Sequence, residues 1–180
     1  HRCKCNMPAP VDGWRFSDEW IAATPELCIH AARISVALNL RLKEVAEPVL
    51  PDNVSSGAIT SLAGPMVLEV LKVTNVAAPA QAQHSQQATR MLKVLLSDGQ
   101  QKCTGIEVTP LPALSVNTPP GTKIVLLGET RVRRGMLLLG ATLLRVIGGK
   151  VPSLIQRWEL QRTFADGGRA GTALGAPVFS

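Results

Sequence analysis

The sequence predicts an α+β protein: a small amino-terminal helical bundle packed on a β-barrel of the oligonucleotide/oligosaccharide-binding type (an OB-fold), with a carboxy-terminal helix. Three observations carry this. Apolar residues follow a helical period up to about residue 50, alternate as in strands from Gly64 to Gly149, and return to a helical period afterwards. The strand region reads as five or six short runs with one tight Asp-Gly turn and one long proline-containing crossing, the pattern of a small Greek-key barrel. A chain of 180 residues is long enough for one such core and an accessory element.

Residues 1–12, rich in Pro and Cys, read as a disordered tail, and 13–57 as the helical bundle. In WRFSDEWIAA (14–23), Ser17 supplies a capping hydroxyl, and Asp18 and Glu19 follow where the helix dipole favours acids. Thr24-Pro25-Glu26-Leu27 repeats the signal with proline at the first helical position, predicting a helix toward Arg33. A third helix is predicted from Leu40 to Val49, with Leu42, Val45, Ala46 and Val49 on one face and Pro51 as its stop. PDNVSSG (51–57) is the loop that leaves it.

Residues 58–164 form the barrel with its closing helix. In 67–73, Val67, Glu69, Leu71 and Val73 alternate with Leu68, Val70 and Lys72; in 91–97, Leu92, Val94 and Leu96 oppose Met91, Lys93 and Leu95. Between these strands lies NVAAPAQAQHSQQATR (75–90), far longer than a hairpin needs, so 76–89 reads as an inserted loop. Ser97-Asp98-Gly99-Gln100 is a tight turn, since Asp-Gly supplies positive φ. The return strand is CTGIEV (103–108), and the crossing TPLPALSVNTPPG leads to KIVLLGET (123–130). A basic turn, RVRRG (131–135), precedes MLLL (136–139) and LRVI (144–147). Gly148-Gly149 turns the chain into a helix over 151–164, with Val151, Leu154, Ile155 and Trp158 on one stripe; 165–180, rich in Gly and Ala, reads as a flexible tail.

Composition narrows the function. The net charge of +6 permits contact with nucleic acid or an acidic partner and specifies neither. The start has no apolar run behind its basic residues, so it does not read as a signal peptide, and no stretch of spanning length predicts a membrane segment. The four dispersed cysteines do not make a disulfide framework, which reads as an intracellular protein. His1, His30 and His84 have no acid at a useful spacing, and the Cys3-x-Cys5 pair has no downstream ligand pair. Cys103, in mid-strand, reads as a small buried hydrophobe. No catalytic residue, metal site or cofactor is assigned. No Tyr occurs, and no Phe or Trp from Ile21 to Arg157, so the predicted strands carry no aromatic ring.

Several stretches together are specific: ALNLRLKEVAEPVLPDNVSSG (37–57), GPMVLEVLKVTNVAAP (64–79), RMLKVLLSDGQQKCTGIE (90–107), NTPPGTKIVLLG (117–128) and GGKVPSLIQRWELQR (148–162). Over residues 37–162 the chain resembles the amino-terminal region of the Tudor domain-containing protein 3 family and, more weakly, the related RecQ-mediated genome instability protein 1 family. The resemblance implies a helical bundle and barrel that dock onto a type IA topoisomerase, topoisomerase III beta, which acts on DNA and RNA. In this family a loop inserted between the first two barrel strands reaches toward the topoisomerase gate and tunes strand passage; 76–89 takes its place. The family's loop often carries acids or lysines, whereas here Lys72 and Arg90 are the nearest charges, and Met136 stands where Phe often begins the strand. The resemblance does not extend to the family's Tudor domain or its ubiquitin-associated and exon-junction elements, so their activities are not carried over.

The expectation is therefore a non-catalytic scaffold, monomeric alone and heterodimeric with the topoisomerase, working in chromatin and RNA metabolism in the cytoplasm and nucleus. The candidate contacts are Val76, Ala77, Ala78, Pro79, Gln81, Gln83 and Arg90 in and beside the loop, Arg131 and Arg133 in the basic turn, and Met136 and Leu138 after it. Small side chains in the loop can pack without desolvating charge, while its glutamines adapt their hydrogen bonds. The alternative is a single-stranded nucleic-acid-binding OB-fold module; without rings to stack bases, worth roughly 1–3 kcal/mol each, it would have only salt-sensitive phosphate contacts. Nucleic acid is thus expected to be reached through the topoisomerase. A third possibility is a stability module with no partner surface of its own.

Overall fold

The computed structural model describes residues 13–79 and 90–170. The expected tail at 1–12, most of the inserted loop and residues 171–180 lie outside these.

Three short helices lead: α1 (Asp18–Ala23), α2 (His30–Ala37) and α3 (Leu42–Val45). Ser17 caps α1 as its position predicts, its Oγ accepting from Trp20 N at 3.3 Å. The other two differ from expectation. Thr24–Leu27 makes a single turn, Leu27 N donating to Thr24 O, and α2 begins only at His30, where Arg33 and Ala37 become buried. The predicted third helix shrinks to four residues because longer-range partners claim its backbone. Ala46 bridges Phe16, Glu47 N donates to Arg15 O, and the amides of Val49 and Leu50 donate to Asp98 Oδ2 at 2.9 and 2.7 Å. What precedes the barrel is thus three short helices around an aromatic cluster rather than a regular bundle. Trp14 and Phe16 stack at 5.2 Å, and Trp20 lies 5.0 Å from Phe16.

Among the described residues eight strands follow, against the five or six expected: β1 (Ser61–Leu62), β2 (Met66–Asn75), β3 (Leu92–Ser97), β4 (Lys102–Glu107), β5 (Lys123–Leu126), β6 (Thr130–Arg133), β7 (Met136–Leu139) and β8 (Leu144–Gly148). They form one strongly curled sheet in the order β1-β6-β7-β4-β3-β2-β5-β8. All pairs are antiparallel except β4 with β7. Since β7 pairs with β4 and β8 with β5, the short link 140–143 joins the two flanks and bends the sheet back on itself. Of the additional strands, β6 comes from the predicted basic turn, where it holds Arg131 and Arg133 and leaves Arg134-Gly135 as the turn itself, and β1 from the segment before Gly64.

The barrel core is aliphatic. Leu68, Val70, Val73, Leu92, Val94, Leu96, Cys103, Ile124, Leu126, Leu137 and Leu139 converge inside, with Leu50 and Val54 entering from the segment before β1. Each such side chain stabilises the fold by roughly 1.5–3 kcal/mol on burial. Strict alternation along β2 fails at a bulge between Val70 and Lys72. Val67 and Glu69 face away from the core, yet Val73 returns to it, because the extra residue shifts the phase. The bend at Asp98-Gly99 ties both halves together. Gly99 has φ +107°, and a Cβ there would meet Lys43 N at 2.6 Å, so the hairpin presses directly on α3.

Helices and barrel also share a buried ion cluster. Glu69, fully buried, accepts from Lys123 Nζ at 3.2 Å and from Arg41 Nε at 3.1 Å; Lys123 Nζ also donates to Gly121 O. Burial pushes the Lys123 ammonium below its ordinary range, against the opposing pull of Glu69. After Gly148 and Gly149, both at positive φ, α4 runs from Pro152 to Ala170, beyond the residue 164 expected. Of its predicted stripe only Val151 is buried, whereas Leu154, Ile155 and Trp158 are half-exposed and Phe164 is 76 % exposed.

Candidate partner-binding face

The outer surface of the sheet is treated in two ways. On one side Val67 of β2 and Val125 of β5 lie under Trp14, Phe16, Trp20, Leu42 and Val45. On the other side, across β3, β4, β7 and β6 and the far end of β2, no helix among the described residues covers the strands. Because Val94, Leu96, Cys103, Leu137, Leu139 and Val132 point inward, their neighbours must point out. The register sets these in rows. Lys72, Leu95, Thr104, Met136 and Arg133 are successive partners across five strands; Thr74, Lys93, Ile106 and Leu138 form the next row. Leu95, Ile106 and Leu138 are half-exposed and Met136 is 38 % exposed. Cations Lys72, Lys93, Lys102, Arg131 and Arg133 surround them, all exposed, and no acidic or aromatic side chain stands in these rows.

The sequence-predicted contacts fall into three groups. Arg133 and Met136 are brought directly opposite each other, with Leu138 and Arg131 on the same two strands. At the loop's start Val76 is 40 % exposed, Ala77 and Pro79 are exposed and Ala78 is buried; Gln81 and Gln83 lie outside the described residues. Val76 also lines a depression with Lys72, Thr74, Lys93, Leu95 and Thr104, which joins the loop root to the sheet face. Arg90 belongs elsewhere. Its Nη2 donates to Glu107 Oε1 at 2.6 Å and to Leu111 O, and its Nη1 to Leu114 O. Its guanidinium therefore fastens the loop's exit to the proline-rich crossing rather than standing free as a contact.

The loop root is rigidly built. Asn75 Oδ1 accepts from Ala77 N and from Met91 N, holding both stems, and Val76 N donates to Met91 O. Glu107 accepts from Leu92 N at 2.9 Å and Leu111 N at 2.7 Å besides Arg90. Burial pushes the Glu107 carboxyl up, but the Arg90 guanidinium and these two amides outweigh it and hold it below the ordinary carboxylate range.

Sequence reasoning missed Leu95, Thr104, Ile106 and the three lysines as parts of one face. A signal was present: Met91, Lys93 and Leu95 mix apolar and basic residues on the side opposite the core. The chemistry of a nucleophile is absent at Cys103, where burial, reinforced by Asp98, pushes the thiol up to about 12. Among the described residues no group of three or more His, Cys, Asp or Glu could hold a metal ion, and no helix is long and apolar enough to cross a membrane.

Comparison with known proteins agrees with this architecture. The family described as "RMI1, N-terminal OB-fold domain" matches residues 50–162. Tudor domain-containing protein 3 of Danio rerio is 42 % identical over 184 residues, covering 98 % of this chain and 25 % of that protein. The protein of the same name from Xenopus tropicalis is 42 % identical over 146 residues, covering 80 % of the chain and 21 % of the relative. RecQ-mediated genome instability protein 1 of Danio rerio is 31 % identical over 176 residues, covering 83 % and 34 % respectively. The chain thus spans about a quarter of the length of the Tudor-domain relatives it matches.

Proposed function

Since the chain belongs to the family of RMI1 N-terminal OB-fold domains, we propose that it is a non-catalytic scaffold that binds topoisomerase III beta through its sheet face and inserted loop and modulates strand passage on DNA and RNA. The observation that carries this reading is the uncovered face itself: apolar Leu95, Ile106, Met136 and Leu138 in register, ringed by cations and lacking any aromatic ring. An apolar centre with a charged rim is the make-up of a protein interface. The two stems of the loop, held by Asn75 and Arg90, lie beside this face. The protein acts as a monomer that becomes one half of a heterodimer, in the cytoplasm and nucleus, and reaches nucleic acid through its partner.

Co-elution on size exclusion tests the reading. The chain is expected to elute with the topoisomerase, and a Met136→Glu/Leu138→Glu variant of unchanged melting temperature to elute alone. Deleting 80–88 is expected to leave the fold intact, because loop length adds little closure entropy, and to alter decatenation. A deletion that changes neither binding nor strand passage removes the loop from the reading.

One observation favours a second reading, direct grip of a single strand: the five cations Lys72, Lys93, Lys102, Arg131 and Arg133 share this face. Fluorescence anisotropy with single-stranded RNA separates the two. Sub-micromolar binding by the chain alone at physiological salt would favour the second, whereas binding that is weak at that salt favours the scaffold.

A further inference from the structure

A second concave surface lies where α4 leaves the barrel. A cleft of about 190 Å³ is lined by Leu71, Val116, Pro120, Leu154 and Trp158. The β2 bulge builds it: the register shift between Val70 and Lys72 leaves Leu71 out of the ladder, and this side chain turns toward α4 instead of into the core. The wall opposite is fixed as well. Arg162 places its guanidinium 4.6 Å from the centroid of the Trp158 ring and donates from Nη2 to Asn117 Oδ1 at 2.9 Å, so α4 is tied to the proline-rich crossing.

The rim is cationic. Lys72, Arg157 and Arg162 border the apolar floor, and no carboxylate lines the cleft among the described residues. An apolar cavity of roughly 150 Å³ accommodates a benzene molecule, so this one takes a single large side chain. A nucleobase fits less well, since Arg162 already covers one face of Trp158, the one aromatic ring among the described lining residues. We propose that the cleft between α4 and β2 receives a short peptide segment of a partner protein that sets an aliphatic side chain beside a carboxylate, the first against Leu71, Leu154 and Trp158, the second between Lys72 and Arg157. Because the wall is already ordered, binding forfeits little side-chain entropy. The inference does not depend on what the sheet face binds: the two surfaces share Lys72, but the chemistry of each is its own.

The test uses the full chain, labelled with nitrogen-15, and no topoisomerase. A blocked heptapeptide of alternating leucine and aspartate is titrated in, then its leucine–asparagine counterpart, then a ten-nucleotide thymidine oligomer. The aspartate peptide is expected to shift the Trp158 indole N–H and the Leu71 amide with saturation. The asparagine peptide, and the aspartate peptide on a Lys72→Glu/Arg157→Glu variant, are expected to bind at least about twofold more weakly, as the loss of two rim ion pairs implies. Unchanged indole signals of buried Trp14 and Trp20 report that the variant is folded. Equal binding of the two peptides, shifts centred elsewhere, no saturation at millimolar peptide, or a saturable Trp158 shift produced by the oligomer in place of the peptide would each overturn the proposal.

Discussion

The two outer sides of the sheet differ in what they have been given to cover them. Val67 and Val125 lie beneath Trp14, Phe16 and Trp20, three of the chain's six aromatic rings. Around the curl, Leu95, Ile106, Met136 and Leu138 have strand neighbours and solvent. The first side is closed by large rings that bury their own surface, and its loss is a matter of stability. The second leaves apolar groups in water at a standing cost and keeps them in register across several strands. Apolar residues scattered over a surface need no explanation, but an ordered row flanked by cations has the form of an interface.

The comparison can be broken most forcefully from its covered side. Glu69→Gln removes the carboxylate that pairs with Lys123 and Arg41. Leaving a buried ammonium without its counter-charge is expected to cost about 3–5 kcal/mol, read as a lowered urea midpoint. The uncovered side should behave oppositely. Met136→Glu with Leu138→Glu is expected to change stability by less than about 1 kcal/mol while weakening the topoisomerase about a hundredfold, about 2.7 kcal/mol. If that variant unfolds instead, the row is core and the contrast between the two sides disappears.

Arg90→Ala lies between these extremes. It takes three internal hydrogen-bonded partners from a partly exposed guanidinium, with an expected cost of about 1–2 kcal/mol. It also changes the response to acid. Glu107 has its folded pKa below the ordinary 4.5, so the unfolded chain binds the proton first. Its contribution is complete above pH 4.5 and declines as pH falls through the lower folded value. In Arg90→Ala that acid-sensitive part shrinks, because the main group depressing the carboxyl has gone. Hydrogen exchange at the Leu92 and Leu111 amides, both held by Glu107, follows the change residue by residue.

What could be read in the chain beforehand was what short-range chemistry decides. Ser17 ahead of Asp18 and Glu19 announced α1, Asp98-Gly99 the hairpin, and Gly148-Gly149 the corner before α4. What could not be read depended on partners far away in sequence. The third helix stops because the Val49 and Leu50 amides find Asp98, 49 and 48 residues on. Periodicity along 40–49 contains no trace of that carboxylate. Arg90 read as a candidate contact beside the loop, and nothing nearby announced Glu107, which is 17 residues distant. The bulge at Leu71 was hidden for a related reason: alternation in VLEVLKV fits either phase, and only pairing with β3 on one side and β5 on the other selects where it breaks. Candidate contacts on β6 and β7 were legible as residue types, while the face they form with β3 and β4 required the register.

The smallest effect is also the most discriminating. Arg131 and Arg133 stand exposed at the edge of the apolar row, so as rim charges each is expected to contribute only about 0.2–1 kcal/mol. Reversing both, Arg131→Glu and Arg133→Glu, should leave the melting temperature in place and weaken topoisomerase binding by roughly two- to thirtyfold. Rim charges act mainly on encounter, so the change should appear in the association rate and fade as salt is raised, with dissociation nearly constant. Stopped-flow association at two salt concentrations measures both. If the arginines instead held phosphates as the core of a nucleic-acid site, the reversal would sharply weaken single-strand binding and flatten its salt slope by about 1.4. The same two substitutions therefore separate a charged border around an apolar contact from a charged floor beneath a strand.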